Sequence, residues 1–282
     1  MIRYTSKGLW YQECYFEESF ETVDIDILEY RYRSRPLPRS LWRYSFTHLI
    51  DLRIKEEQIL SNFTPNLRYQ IRKAKDREGI EVNMVFPPNN HEVDEFIHYF
   101  NTFSQKKVIG SIGQGPLNEL VLKEMFGISS AFNREGHILT MHGYLVHKIE
   151  SRVLLLYSVS PLMECPSNKT RNVIGGANRY LHYNDMLFFK NAGIRTYDFG
   201  GFYIGSTDKK LLDINRFKKM FGGSLTVCYS GEKACSLKGR IYLFFREVRD
   251  FLFKRKMLLQ NKERKRDGNL KLKELSGQNN KI

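Results

Sequence analysis

The sequence has few features that would tie it to a membrane, a metal or an oxidising compartment. It has four cysteines in 282 residues, without Cys-x-x-Cys spacing or a nearby histidine pattern. This argues against a zinc site or a disulfide framework and predicts reduced thiols. No apolar run approaches the length of a membrane span, and residues 1–7 lack the apolar segment of a secretory signal. We therefore expect a cytoplasmic protein without a metal site.

Acidic residues are also scarce, and the basic excess is unevenly distributed. The formal net charge is +14, and residues 254–282 alone contain ten lysines and arginines against three acids. An acid-free run that includes Tyr32, Trp42 and Tyr44 carries five arginines, at positions 31, 33, 35, 39 and 43. Alternating basic and aromatic residues suit nucleic acid, sugar phosphate or anionic lipid. A merely solvated basic surface is the other interpretation, and we prefer it for the tail.

Hydrophobic periodicity predicts a mixed α/β fold. Strands are predicted at 44–52, 137–147, 152–160 and 194–199. The last of these alternates, whereas 153–159 is so apolar that it suits a central strand. Thr64-Pro65 is a typical helix start. A helix is predicted over 177–190, with Ala177, Leu181, Asn184 and Phe188 as its buried stripe. A second, amphipathic and basic helix is predicted over 239–259. That helix could lie on a membrane surface, but packing against its own domain is the interpretation we prefer.

The most informative segment is Arg195-Thr-Tyr-Asp-Phe-Gly-Gly-Phe202, followed by Asn215-Arg-Phe-Lys-Lys-Met-Phe-Gly-Gly223. Asp198 lies near the end of a predicted strand, just before two glycines that permit a sharp turn. A carboxylate in such a place can take part in chemistry, or it can cap the turn through its own backbone. The sequence leaves both interpretations open.

These residues resemble the C-terminal signature of the Fem-type aminoacyltransferases, which form peptidoglycan bridges and belong to the wider group of GNAT-fold N-acyltransferases. A second patch supports the resemblance, with the segments Ile50-Asp-Leu-Arg53, Leu67-Arg-Tyr-Gln-Ile-Arg-Lys-Ala-Lys75 and Glu78-Gly-Ile-Glu-Val82 in the expected order. The resemblance implies an α/β (α+β) fold with a GNAT-like, mixed, mostly antiparallel and splayed sheet flanked by helices. It divides the chain into a reduced N-terminal strand region (1–50), an acyltransferase core (51–238), and an amphipathic basic helix with a charged tail (239–282).

The resemblance also implies a donor site. In the GNAT fold a loop and a helix N-terminus hold the pyrophosphate of the acyl donor through free backbone N–H groups. Arg171, Gly175 and Gly176 occupy that place in the sequence, and Arg216 and Lys218 could neutralise donor phosphates. Coenzyme-A-using enzymes have two residues between the arginine and the first glycine, whereas this chain has three. The donor therefore stays open between acyl-CoA and aminoacyl-tRNA.

Three residues are candidates for the chemistry itself. Asp198 is placed to orient or deprotonate an acceptor amine, with N–H groups near Gly175 and Gly201 as oxyanion donors. His182 is a second candidate base, since histidine titrates near neutral pH. Asn184 is a polar residue at a predicted core position, which indicates either a structural hydrogen bond or a ligand contact.

The predicted function is transfer of an activated acyl or aminoacyl group to an amine of a cell-wall or surface-polysaccharide precursor. The predicted partners are an anionic or nucleotide-linked acceptor, tRNA, and the inner membrane surface as a peripheral contact. Two alternatives remain from the sequence, a noncatalytic nucleic-acid-binding protein and a GNAT-like scaffold without a donor site.

Overall fold

The computed structural model describes residues 2–17, 19, 24–104, 112, 114–161 and 167–252. One ten-stranded sheet runs through them, with the strand order β1-β2-β3-β10-β4-β9-β8-β7-β6-β5. The strands are β1 (Ile2–Ser6), β2 (Leu9–Tyr15), β3 (Ile27–Arg33), β4 (Leu41–Asp51), β5 (Glu81–Val85), β6 (Phe126–Phe132), β7 (Ile138–His147), β8 (Arg152–Val159), β9 (Thr196–Phe202) and β10 (Ser224–Ala234).

Helices cover both faces of the sheet. They are α1 (Glu56–Ser61), α2 (Pro65–Arg72), α3 (Asn90–Ser104), α4 (Gln114–Leu122), α5 (Asn168–Asn191), α6 (Lys209–Lys219) and α7 (237–252). Thr64 caps α2 and Pro65 is its first residue, as predicted, and a π-helical turn (Lys73–Arg77) continues it. No helix among these described residues is long and apolar enough to cross a bilayer.

The sheet is mixed and mostly antiparallel, which confirms the predicted fold class. Only β2–β3 and β8–β9 pair in parallel. The strands of residues 1–50 continue the same sheet, and β10 from the C-terminal half lies between β3 and β4. The N-terminal strand region is thus joined to the predicted core by backbone hydrogen bonds.

Alternating side chains of the central strands pack into two separate hydrophobic cores, one on each face of the sheet. Leu145 of β7 packs with the apolar side chains of α3 and α4, whereas its neighbour Tyr144 packs with those of α2 and α5. In β8 the same alternation places Leu154 in the core under α3 and α4 and Val153 in the core under α2 and α5. The period of two along a strand explains this division, because successive side chains point to opposite faces.

The parallel pair β8–β9 is splayed, as the GNAT-like pattern predicts. The two strands pair only from Arg152–Thr196 to Leu154–Asp198, although β8 continues to Val159 and β9 to Phe202. Beyond Asp198, β9 stays paired with β4 on its other side. A cleft therefore opens in the sheet where β8 and β9 separate.

Helix α5 begins well before its predicted start at Ala177. Ser167 caps it by accepting a hydrogen bond from the Thr170 N–H (3.1 Å), so Asn168 is the first helical residue. Gly175 and Gly176 lie inside the helix rather than in a loop before it. The pair of glycines suggested a loop, but glycine inside a helix costs only about 1 kcal/mol, which packing can offset.

Candidate active site

A β-bulge in β9 lies at the point where the sheet splays. Thr47 of β4 pairs with Gly201 and Leu49 pairs with Asp198, so two residues of β9 oppose the single residue His48. Gly200 has φ +73°, a left-handed conformation that favours glycine. The predicted turn after Asp198 is therefore wrong, because the strand continues through both glycines to Phe202.

Asp198 holds this bulge in place through hydrogen bonds to both of its carboxylate oxygens. Its Oδ1 accepts hydrogen bonds from the Gly200 N–H (2.8 Å) and from the Thr47 hydroxyl. Its Oδ2 accepts from the Arg152 guanidinium, with Nη2 at 2.6 Å and Nε at 3.2 Å. The side chain has no exposed surface. This geometry supports a structural carboxylate and leaves no direct path for an acceptor amine.

Lys218 of α6 occupies the other side of the bulge. Its ammonium donates to the carbonyl oxygens of Gly201 (2.6 Å) and Gly200 (3.3 Å). The residue is only 8% exposed, and no described carboxylate forms an ion pair with it. Burial lowers the pKa of Lys218 to about 8, against the opposing effect of the Asp198 charge. An ammonium has three N–H donors, so one remains beyond the two carbonyl contacts.

Arg179 of α5 is a second cation without a carboxylate partner among the described residues. Its guanidinium lies 5.4 Å from the centre of the Phe217 ring, and Nη1 donates to the Gly175 carbonyl (2.6 Å). Its Nε is buried without a hydrogen-bond partner, and burial lowers the pKa of this group. Arg179 and His182 both contact the Phe217 ring of α6, the helix that also carries Lys218, and the charges of Lys218 and Arg179 lower the pKa of His182. Desolvated cations such as these two are suited to an anion.

A buried chain of hydrogen bonds links side chains of β7, α5 and β9. Tyr144 donates to Asp185 Oδ2 (2.5 Å), and the Tyr144 and Tyr197 hydroxyls lie 2.8 Å apart. His182 Nδ1 lies 2.8 Å from the Tyr197 hydroxyl, and His142 Nδ1 donates to Asp185 Oδ2 (2.8 Å). Because the single proton of Tyr144 goes to Asp185, Tyr197 must donate to Tyr144, and His182 must donate through Nδ1.

The burial of this chain fixes its protonation. Burial, reinforced by the neighbouring His142, Lys218 and Arg179, holds the pKa of His182 well below its usual value. Burial and the Asp185 charge raise the pKa of Tyr144 and Tyr197 far above theirs. His182 therefore stays neutral around pH 7, which is unfavourable for a general base that must accept a proton there.

The same chain contains the one group of described residues dense enough to suggest a metal. Ligand atoms of His142, His182 and Asp185 lie within 4.8 Å of one another. However, His142 Nδ1 already bonds Asp185, and its Nε2 lies 2.8 Å from the Asn178 side-chain amide. The two imidazole rings stack with centroids 4.1 Å apart, so their in-plane lone pairs point alongside each other rather than at one ion. The donor set fits a hydrogen-bond network better than a metal centre.

The remaining predicted donor residues do not converge on this site. Arg171 is exposed in the first turn of α5, and Arg216 is exposed in an ion pair with Asp213 (2.5 Å). At Gly176 a Cβ would touch Ala74 and Glu78, which shows that α5 packs closely on the π-helical turn there. The N–H groups of Gly175 and Gly176 belong to the helix interior, so they cannot form the predicted pyrophosphate loop.

The predicted buried stripe of α5 is right for Ala177 and Leu181 but wrong for Asn184 and Phe188. Phe188 is 37% exposed and Asn184 is half-buried, bonding the Tyr180 carbonyl one turn back (2.8 Å). The buried side chains instead include His182 and Asp185. Hydrophobicity alone missed His182 and Asp185, because the core face of this helix also carries the polar network.

Several residues of the site escaped the sequence interpretation. Arg152 and His142 stand outside the recognised motifs, and Arg179 and Tyr197 lie beside or within them without a local signal of their contacts. Asn215 is buried and clamps Tyr203, accepting from its N–H (3.1 Å) and donating to its carbonyl (2.5 Å). Its place just before Arg216-Phe217-Lys218 was the available signal, since a polar residue three positions before a lysine shares a helix face with it.

Comparison with known proteins identifies solved structures that share this fold. No family model and no curated protein matches the sequence. Among solved structures, FemX matches with a TM-score of 0.53 at 14% identity, over 71% of this chain and 63% of FemX. The C-terminal domain of a protein described as a lysylphosphatidylglycerol synthetase from Agrobacterium fabrum matches with a TM-score of 0.53 at 12% identity, over 87% of this chain and 84% of that one. This chain shares its fold with these two proteins.

The fold comparison confirms the resemblance that the two sequence patches indicated. This chain spans less than two thirds of the length of FemX. At these identities the similarity concerns the fold, and the activity must be argued from the site.

Proposed function

We propose that this chain transfers an activated acyl or aminoacyl group to an amine, and that Lys218 stabilises the oxyanion formed during transfer. The observation that carries the proposal is the Lys218 ammonium at the β9 bulge. It is buried and unpaired with any described carboxylate, and two of its three N–H donors are fixed by the Gly200 and Gly201 carbonyls.

The chemistry follows from this arrangement. An amine attacks the ester or thioester carbonyl of the donor, and the carbonyl oxygen becomes negatively charged in the tetrahedral intermediate. The third N–H of Lys218 donates to that oxygen, while Arg179 neutralises the anionic part of the donor nearby. As the carbonyl re-forms, the nitrogen passes its proton to the donor's oxygen or sulfur, which leaves as the alcohol or thiol. Asp198 and Arg152 act only by holding the bulge.

Aminoacyl-tRNA is the donor that the surface favours over acyl-CoA. Arg35, Arg39 and Arg43 are exposed on the β3–β4 connection and on β4, without a carboxylate partner among the described residues. Beside them Trp42 is 52% exposed and Tyr44 is 58% exposed. Exposed arginines with aromatic side chains suit the phosphates and bases of RNA. The case for coenzyme A rested on Arg171, Gly175 and Gly176, which do not form a loop.

The proposed acceptor is an amine on an anionic or nucleotide-linked cell-wall or surface precursor. Its support is the fold shared with FemX and with the lysylphosphatidylglycerol synthetase domain, together with the cationic site. Noncatalytic nucleic-acid binding is a second candidate, favoured by the same exposed arginines. It predicts tRNA binding without any consumption of the aminoacyl ester.

The test measures loss of radiolabelled amino acid from aminoacyl-tRNA in the presence of amine acceptors, with acyl-CoA as the parallel donor. Lys218→Met should reduce transfer about a hundredfold or more at unchanged donor affinity, as removal of an oxyanion donor does. Lys210→Met, an exposed lysine of the same helix, is the matched control.

The pH dependence separates the proposed role from a base. Lys218 donates only when protonated, so transfer should fall as pH rises through about 8, the pKa to which burial lowers it. Lys218→Arg should retain part of the activity and remove this falling limb, because arginine stays protonated. With the same acceptor amine, a rate that rises through about pH 8 in the wild type but not in Lys218→Arg would identify neutral Lys218 as the active form and contradict the proposal.

A further inference from the structure

Helix α7 packs on the protein through only one of its faces. Leu243 is buried against Leu9, Tyr11 and Ile27. A Cβ at Gly239 would collide with the Asp26 carbonyl, so the backbone of α7 touches the sheet there. On the same face Arg246 donates to Glu232 of β10 (2.6 Å).

The opposite face of α7 is an apolar stripe that no described residue covers. The spacing of its members places them within about 120° of the helix circumference. Their exposure ranges from 39% to 73%, in a stripe made of Leu237, Ile241, Phe244, Phe245, Val248, Phe251 and Leu252. Scattered exposed apolar residues are ordinary, but seven on one helix face indicate a binding surface.

Cations flank this stripe. Lys238 and Arg249 lie along one edge, where Lys238 donates to the Gly8 carbonyl and Arg249 pairs with Asp250 at the surface (3.0 Å). Arg240 lies along the other edge, where Glu247 also lies. Ten lysines and arginines against three acids follow in residues 254–282 of the sequence. A wide apolar stripe containing three phenylalanines, with basic flanks and a basic continuation, is the composition of a helix that lies in a membrane interface. There the cations can reach the headgroups while the rings enter the acyl boundary.

We propose that α7 docks this chain on an anionic lipid surface, with its apolar stripe inserted and its flanking cations at the headgroups. The proposal is independent of the transfer activity, because it uses none of the residues placed around Lys218. The exposed Arg240 and the basic continuation in residues 254–282 of the sequence favour anionic lipid over a neutral apolar partner. It also revises the preference drawn from the sequence, since α7 packs on its own domain and still presents a free apolar face.

The experiment is co-sedimentation of the full chain with vesicles, either of phosphatidylcholine alone or of phosphatidylcholine with phosphatidylglycerol. Wild type should bind the anionic vesicles preferentially. The triple variant Phe244→Ser/Phe245→Ser/Phe251→Ser should lose about tenfold or more of this affinity. All three side chains are more than half exposed, so the melting temperature should stay unchanged. Lys238→Glu/Arg240→Glu/Arg249→Glu should weaken binding to the anionic vesicles alone.

The matched control is Leu122→Ser/Ile149→Ser, which removes two apolar side chains that are 78% and 90% exposed elsewhere. It should bind vesicles like wild type. Unchanged vesicle binding by the triple phenylalanine variant would overturn the proposal. So would sedimentation velocity showing a wild-type dimer that the variant dissociates, because the stripe would then be an interface between copies of this chain.

Discussion

A buried carboxylate is stable only where other groups replace the water it has lost, and Asp198 is the clearest example in this chain. Four donors reach its two oxygens, from Thr47, Gly200 and the Nε and Nη2 of Arg152. The three donor residues belong to three different strands around the splay, β4, β9 and β8. Asp198 thereby fixes the bulge whose carbonyls hold Lys218, so its influence on chemistry is that of a positioning residue.

Replacing Asp198 with asparagine should therefore act on stability first. The amide cannot accept from all four donors, and it leaves the Arg152 guanidinium without its counter-charge. Breaking a buried pair from one side costs about 3–5 kcal/mol, and we expect a loss at the lower end because Arg152 is 17% exposed. Urea unfolding would measure it.

Asp51→Asn is the control, because Asp51 pairs with Arg53 at the surface of the same sheet. It should cost well under 1 kcal/mol. If Asp198→Asn keeps wild-type stability but slows transfer about a hundredfold, Asp198 deprotonates the acceptor and the positioning role is wrong.

Among the elements, α5 differs most from its predicted form, and Gly176 tests the difference directly. A Cβ there would lie 3.7 Å from the Ala74 Cβ and 3.4 Å from Glu78 Oε2, which are ordinary contacts. Gly176→Ala should thus raise the free energy of unfolding by about 0.5–1 kcal/mol, because alanine favours the helix. Donor affinity should stay unchanged, as measured by equilibrium binding.

A phosphate-binding loop would respond in the opposite way. There the added methyl group would obstruct the donor, and Gly176→Ala would weaken donor binding without stabilising the fold. Gly175→Ala serves as a comparison, because its Cβ would meet Arg179 Nη1 at 2.9 Å and displace that guanidinium. We expect weaker donor binding for Gly175→Ala alone.

The contrast between elements shows what the sequence can predict. Where one face is apolar and a cap is explicit, as at Thr64-Pro65, the start of α2 follows directly. The strands β7 and β8 follow from apolar segments bounded by turn residues. The polar core of α5 does not, because Asp185 and His182 are buried only through partners on other strands, Tyr144 and Tyr197. Lys218 was recognised from its motif, but its contact with the bulge is a tertiary event.

At the scale of the whole molecule, the positions of the solvent-exposed cations decide where a polyanion can bind. Many cations are paired in the structure, such as Arg31 with Glu29 and Arg246 with Glu232. The exposed Arg35, Arg39 and Arg43 are not paired with described carboxylates, and they stand beside Trp42 and Tyr44. The net charge of +14 alone would attract any polyanion, so only a localised contact argues for a specific RNA-binding face.

Salt dependence distinguishes these two possibilities. Each phosphate neutralised at a binding site contributes about 0.7–0.9 to the slope of log affinity against log salt concentration. The variant Arg35→Ala/Arg39→Ala/Arg43→Ala should weaken the binding of deacylated tRNA. It should also reduce the slope of log affinity against log salt concentration by about two to three. The variant Lys123→Ala/Lys148→Ala/Arg195→Ala removes three exposed cations elsewhere and lowers the net charge equally. It should leave the slope nearly unchanged. Equal effects of the two variants would show that the overall electrostatic field of the protein holds tRNA. Arg35, Arg39 and Arg43 would then have no specific role in donor recognition.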